Sequence, residues 1–101
     1  MTYSRADLTQ SIEKAEAAMR DLELLEEEFK GVTCDAHVVK RFKEVSDNWD
    51  AVAIPEIFRR ELLEASAYLI PEKGDTADFS CVRSKLGWIK REAERLLCEC
   101  L

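Results

Sequence analysis

Glycine and proline are scarce here, three and two in 101 residues, which argues against folds that need frequent turns, such as sandwiches and barrels. No apolar run approaches the ~20 residues a membrane-spanning helix requires. The opening Met-Thr-Tyr-Ser-Arg-Ala-Asp lacks the apolar stretch of a secretion signal. The expectation is a cytoplasmic protein without a membrane partner. His37 is the single histidine, and there is no Cys-x-x-Cys, no Glu-x-x-His and no glycine-rich loop to cradle a phosphate or oxyanion. Catalytic residues, a cofactor and a metal are not expected, and the chain is read as a non-enzyme.

A basic footprint is missing too. The net charge is −6, and residues 1–31 hold eight acids against four bases while residues 71–101 hold six of each. Direct nucleic-acid binding is disfavoured, because phosphate contacts need clustered lysine and arginine. The four cysteines, Cys34, Cys81, Cys98 and Cys100, show no secreted-scaffold spacing. They read as free thiols in a reducing compartment.

What is abundant is helical periodicity. Phe79, Val82, Leu86, Ile89, Ala93, Leu96 and Cys100 recur in steps of three and four, the spacing that places residues on one face of a helix. Leu8, Ile12, Ala15, Met19, Leu22 and Phe29 repeat the rhythm near the start, with Glu26 as its one polar member. Ser4 is a capping residue with Asp7 three positions on, Tyr3 and Leu8 are placed as a hydrophobic staple, and Gly31 stops the helix. These signals predict a first helix over 5–30.

A second helix is expected over 36–52, capped by Thr33 or Asp35 and bending at the weak formers Ser46-Asp47-Asn48. Pro55 opens a third over 55–69. A loop at 71–75 leads to a fourth over 77–99, capped by Asp75 or Thr76. Short connections make neighbours antiparallel, so the fold class is all-α, a four-helix up-down antiparallel bundle forming a single domain over 1–101. Its core should include Leu8, Ile12, Met19, Leu22, Phe42, Val45, Phe58, Leu62, Leu69, Val82, Leu86, Ile89 and Leu96.

Three features bear on function. The first is the acidic end of helix 1, Glu23, Glu26, Glu27 and Glu28. Acids there oppose the helix dipole, and only Lys30 offsets them. A rule broken without local gain marks a place to look for function, although Lys40, Arg41 and Lys43 of helix 2 are placed to pair with these acids internally. The second is Gly87 beside Trp88: a glycine notch that lets another backbone approach, next to a residue type common in interface hot spots. Trp49 is read as core. The third is Cys34, His37 and Cys81 at one end of the bundle, three ligand-type residues that would make an open metal site, a nucleophile–base pair or a thiol switch.

The preferred reading is an acidic regulator or inhibitor that binds a basic, even nucleic-acid-binding, protein through Glu23, Glu26, Glu27, Glu28 and Trp88. One alternative is an adaptor or structural subunit that forms a homo-oligomer through its helical seams. The other is a thiol- or metal-sensing protein using Cys34, His37 and Cys81.

Overall fold

In the computed structural model, residues 3–33, 35–49, 54–70 and 76–99 are described. Helix α1 spans Arg5–Phe29, roughly 37 Å at ~1.5 Å per residue. Ser4 caps it as expected: its backbone is extended and its hydroxyl accepts from the Asp7 N–H at 3.1 Å. At the far end the Lys30 N–H donates to the Glu26 carbonyl, and Gly31 turns the chain at φ +76°. That left-handed backbone suits a residue with no Cβ.

Helix α2 covers Ala36–Ser46 under the Asp35 cap, whose carboxylate accepts from the Val38 N–H. It is shorter than the predicted 36–52. Its tail becomes a 3₁₀ turn over Asp47–Trp49. There the Ser46 hydroxyl and the Asn48 amide donate to the carbonyls of Lys43 and Glu44, the competition for backbone groups that makes these residues poor helix formers. Val52 lies outside the described residues. Helix α3, Glu56–Leu69, starts directly after Pro55.

Helix α4 runs Phe79–Glu99, two residues later than predicted. Its cap is Asp78 rather than Asp75 or Thr76: the Asp78 carboxylate accepts from the Cys81 N–H at 3.0 Å. Asp75, with the rest of the expected 71–75 loop, lies outside the described residues. So does Cys100, the last member of the predicted seam. The described residues contain no strand, only an isolated antiparallel bridge between Thr33 and Thr76.

The helices pack unequally in an elongated molecule of 46 × 20 × 17 Å. α1 against α4 is the main interface, α3 packs on α4, and α2 touches α1 sparingly. The sense of packing follows from particular pairs. Glu26 near the end of α1 meets Arg83 near the start of α4, so these two run antiparallel. Phe58 near the start of α3 packs on Trp88, whereas Glu64 and Tyr68 farther along reach back to Lys85. α3 and α4 are antiparallel as well.

Aromatic clusters close both ends. Phe42 takes Phe29 and Phe79 edge-on, with centroids at 5.3 and 6.1 Å. Phe58 lies between Tyr3 and Trp88 at 6.3 and 6.0 Å. Such pairs contribute about 0.5–1.5 kcal/mol each beyond their buried area.

Most of the expected core is buried; Ile12, Met19, Val45 and Leu96 pack at its edge instead. In α1 the buried stripe is Leu8, Ser11, Ala15, Ala18, Leu22 and Leu25. Relative to the predicted Leu8–Ile12–Ala15–Met19–Leu22–Glu26 seam, it is rotated by about 50° at ~100° per residue. The stripe has small side chains at 11, 15 and 18, and Ala18 shares a cleft with Trp49. Ser11 is fully buried there, and its hydroxyl donates to the Asp7 carbonyl at 2.8 Å, which satisfies it locally.

Candidate functional site

The rotation of α1 changes what its acidic end presents. Leu25, 2% exposed, takes the seam position that the periodicity assigned to Glu26. Glu26 instead sits at the edge of the α1–α4 interface, where both its carboxylate oxygens accept from Arg83 Nη2 at 2.6 and 2.7 Å. Its partner is therefore Arg83, not Lys40, Arg41 or Lys43. Among the described residues no ion pair joins Glu23, Glu27 or Glu28 to any base.

These three acids are exposed and stand on two flanks of the helix. Glu23 and Glu27 share the flank of α1 beyond Glu26. Glu28 lies on the flank toward α2, where it borders a shallow cleft with Asp21, Leu24, Leu25, Arg41 and Val45. Between the two flanks stands Leu24, 66% exposed. The surface is an exposed leucine with carboxylates on either side and, in the last turn of α1, no basic residue.

Trp88 belongs elsewhere. It lies five residues beyond Arg83, about 140° around α4 at ~100° per residue. Half-buried, it leans on Phe58 and lines an open groove between α3 and α4 with Glu61, Tyr68, Cys81, Ser84 and Lys85. The expected notch beside it is absent. A Cβ added to Gly87 would meet only Arg91, with Nη1 at 3.3 Å, and no atom of another helix within 4 Å. Gly87 is buried under the side chain of its own next turn.

The groove carries its own ion cluster. Lys85 Nζ lies 2.8 Å from Glu64 and 3.5 Å from Glu61, and 5.5 Å from the centre of the Tyr68 ring. The hydrogen bond from Lys85 holds the Glu64 carboxyl below its ordinary value, and the same bond raises the Lys85 ammonium. Near the end of α4, Arg95 bridges Glu92 and Glu99; its hydrogen bond lowers the Glu92 carboxyl.

The sulfur and imidazole groups do not assemble a centre. Cys34 lies outside the described residues, His37 is exposed, and Cys81 is a half-buried free thiol. Among the described residues no three His, Cys, Asp or Glu side chains come together as metal ligands. Trp49 is core, as expected, and its indole N–H donates to the Asp21 carboxylate at 3.2 Å.

Arg83 and Leu24 are the residues that the periodicity passed over. Leu22, Leu24 and Leu25 crowd three leucines into four positions; a single helical face cannot hold all three, so one had to point outward. Arg83 carried no such signal, because its role depends on the register of α4 against α1. Comparison with known proteins adds no relative: no family model matches the chain, and no curated protein or solved structure matches it significantly.

Proposed function

We propose that this chain is a non-enzymatic protein-binding module, a regulator or inhibitor, that engages a basic surface of a protein partner through the outer side of the C-terminal half of α1. One observation carries the reading: Glu23, Glu27 and Glu28 are exposed and joined to no base among the described residues, while Leu24 stands between them 66% exposed. Acids at a helix C-terminus oppose the macrodipole, and the fold supplies Arg83 to Glu26 alone. A basic partner would relieve the other three and cover the leucine. Leu24 thus takes the role of apolar anchor in place of the more distant Trp88.

The carboxylates would act chiefly on the rate of encounter and on the choice of partner, and their reach shrinks to about 8 Å at physiological ionic strength. The same charges repel nucleic acid phosphates, so the partner is a protein. The reading places the module in the cytoplasm, where its thiols stay reduced.

The experiment is affinity capture from an extract of the source cells by three baits: the native chain, the triple variant Glu23→Lys/Glu27→Lys/Glu28→Lys, and Leu24→Ser. A basic protein held by the native chain, released by raised salt and lost from both variants is the expected result. Equal retention by the native chain and the triple variant would reduce the acids to a solvated face and overturn the proposal.

A further inference from the structure

We infer that the outer face of α3 is a self-complementary contact through which two copies of this chain associate weakly as an antiparallel pair. α3 buries one stripe, Phe58, Leu62, Ala65 and Leu69, and packs on α4. The opposite arc holds Glu56, Ile57, Arg60, Leu63, Glu64 and Ala67, all exposed. Ile57 and Leu63 are 45% and 67% exposed and are among the few large apolar side chains left in solvent. They stand at the two margins of that arc, about 120° apart at ~100° per residue, with Arg60 and Glu64 between them.

The charges on that arc name the occupant. Arg60 stands one turn from Glu56 and one turn from Glu64; its charge, after that of Lys85, acts on Glu64 of its own helix, and it closes no salt bridge among the described residues. A second α3 laid antiparallel about a two-fold axis at residue 62 sets Arg60 of each copy opposite Glu64 of the other. Glu64 already accepts from Lys85 at 2.8 Å, but a carboxylate has lone pairs for a second donor. The same register places Ile57 opposite Ala67, large against small, and brings Leu63 beside its own copy near the axis. A residue that contacts j while j contacts it is the signature of an isologous two-fold interface. A foreign partner would have to reproduce this alternation; a second copy already has it.

One helix face of this length buries less than the about 1,200–2,000 Å² of a stable interface. The pair is therefore weak and transient, with a dissociation constant on the order of 100 μM to 1 mM.

Sedimentation equilibrium at about 0.15 M salt, with protein raised to about 1 mM, tests the contact. The native chain should move from the mass of one chain toward two. Arg60→Glu sets like charges across both pairs and should weaken association by about tenfold or more. Arg60→Glu/Glu64→Arg exchanges the charges and should restore it. Both positions are exposed, Glu64→Arg also gives up the Lys85 ion pair, and thermal melts beside a helical circular dichroism spectrum establish that each variant is folded and as stable as the native chain. A native chain that stays monomeric at the highest concentration, or an Arg60→Glu variant that associates as well as the native chain, overturns the inference. So does a charge exchange that fails to restore association. The triple lysine variant of α1 should self-associate like the native chain, which separates this contact from the acidic surface.

Discussion

The two described glycines should respond to alanine with opposite signs, and each sign follows from a different physical cause. Gly87 lies inside α4 with ordinary helical backbone. A glycine there costs about 0.8–1.0 kcal/mol relative to alanine, mostly in the entropy of the unfolded chain. Steric cost has to be set against that gain. The added Cβ would stand 3.3 Å from Arg91 Nη1 and 3.9 Å from its Cζ, and within 4 Å of nothing else. Arg91 is exposed, and its guanidinium is the far end of a flexible side chain, free to give a few tenths of an ångström. Gly87→Ala should therefore stabilise by about 0.5–1 kcal/mol, a rise of about 2–8 °C in the thermal midpoint of a domain this size. Gly31 reverses the balance. Nothing lies within 4 Å of its Cβ position, yet its φ is +76°, and a left-handed backbone costs an L side chain about 1–2 kcal/mol. Gly31→Ala should lower the midpoint by several degrees despite the open space. Melts followed at 222 nm and guanidinium titrations of the three proteins would read both effects. Destabilisation by Gly87→Ala would refute the reasoning, because it would mean that another backbone packs where only Arg91 is seen.

Further outcomes follow from single contacts. A double-mutant cycle on Glu26→Ala and Arg83→Ala should give a coupling of about 0.2–1 kcal/mol that fades in high salt, since both side chains are partly exposed; zero coupling at low salt would mean that the pair adds nothing to stability in solution. Trp49→Phe keeps most of the buried ring but deletes the donor to Asp21, and should cost about 1–2 kcal/mol. A cost below experimental error in denaturant titration would show that hydrogen bond to be absent in solution. Acid should destabilise the fold through Glu64 and Glu92. Their folded values are lowered, so their contribution is present above the ordinary carboxyl value of 4.5 and is lost as pH falls through the folded values. Glu64→Gln/Glu92→Gln should flatten the decline of stability between pH 5 and 3, and an unchanged slope would refute that assignment. Lys85, raised by Glu64, contributes below its ordinary 10.5 and loses that contribution as pH rises through its folded value.

Helices were legible wherever their ends carried their own chemistry. Ser4, Asp35, Pro55 and Gly31 act on backbone groups within a few residues, so their effect does not depend on where the chain goes next. The same holds for Ser46 and Asn48, whose side chains take up the carbonyls of Lys43 and Glu44. The start of α4 was misplaced because residues 75, 76 and 78 all offer capping oxygens; choosing Asp78 requires knowing where Phe79 must sit beside Phe42.

The acidic end of α1 shows why a surface is harder to read than a helix. Two stripes coexist in α1, one through Ile12, Met19 and Glu26 and one through Ser11, Ala18 and Leu25, sharing Leu8, Ala15 and Leu22. Counting large apolar side chains favours the first. The fold buries the second, because α1 is covered on two sides: α4 meets it at the Glu26 flank, while Ala18 lies beside Trp49 and Leu25 beside Arg41 and Val45 of α2. The choice moves Glu26 from a violated core position to an edge where Arg83 meets it, and the anomaly that first pointed to function at that residue disappears. It does not disappear for its neighbours. Once Leu25 faces inward, Leu24 must face outward, and Glu23, Glu27 and Glu28 are left around it without a cation among the described residues. The displaced seam therefore concentrates the case for a basic partner on the residues that the fold itself does not satisfy.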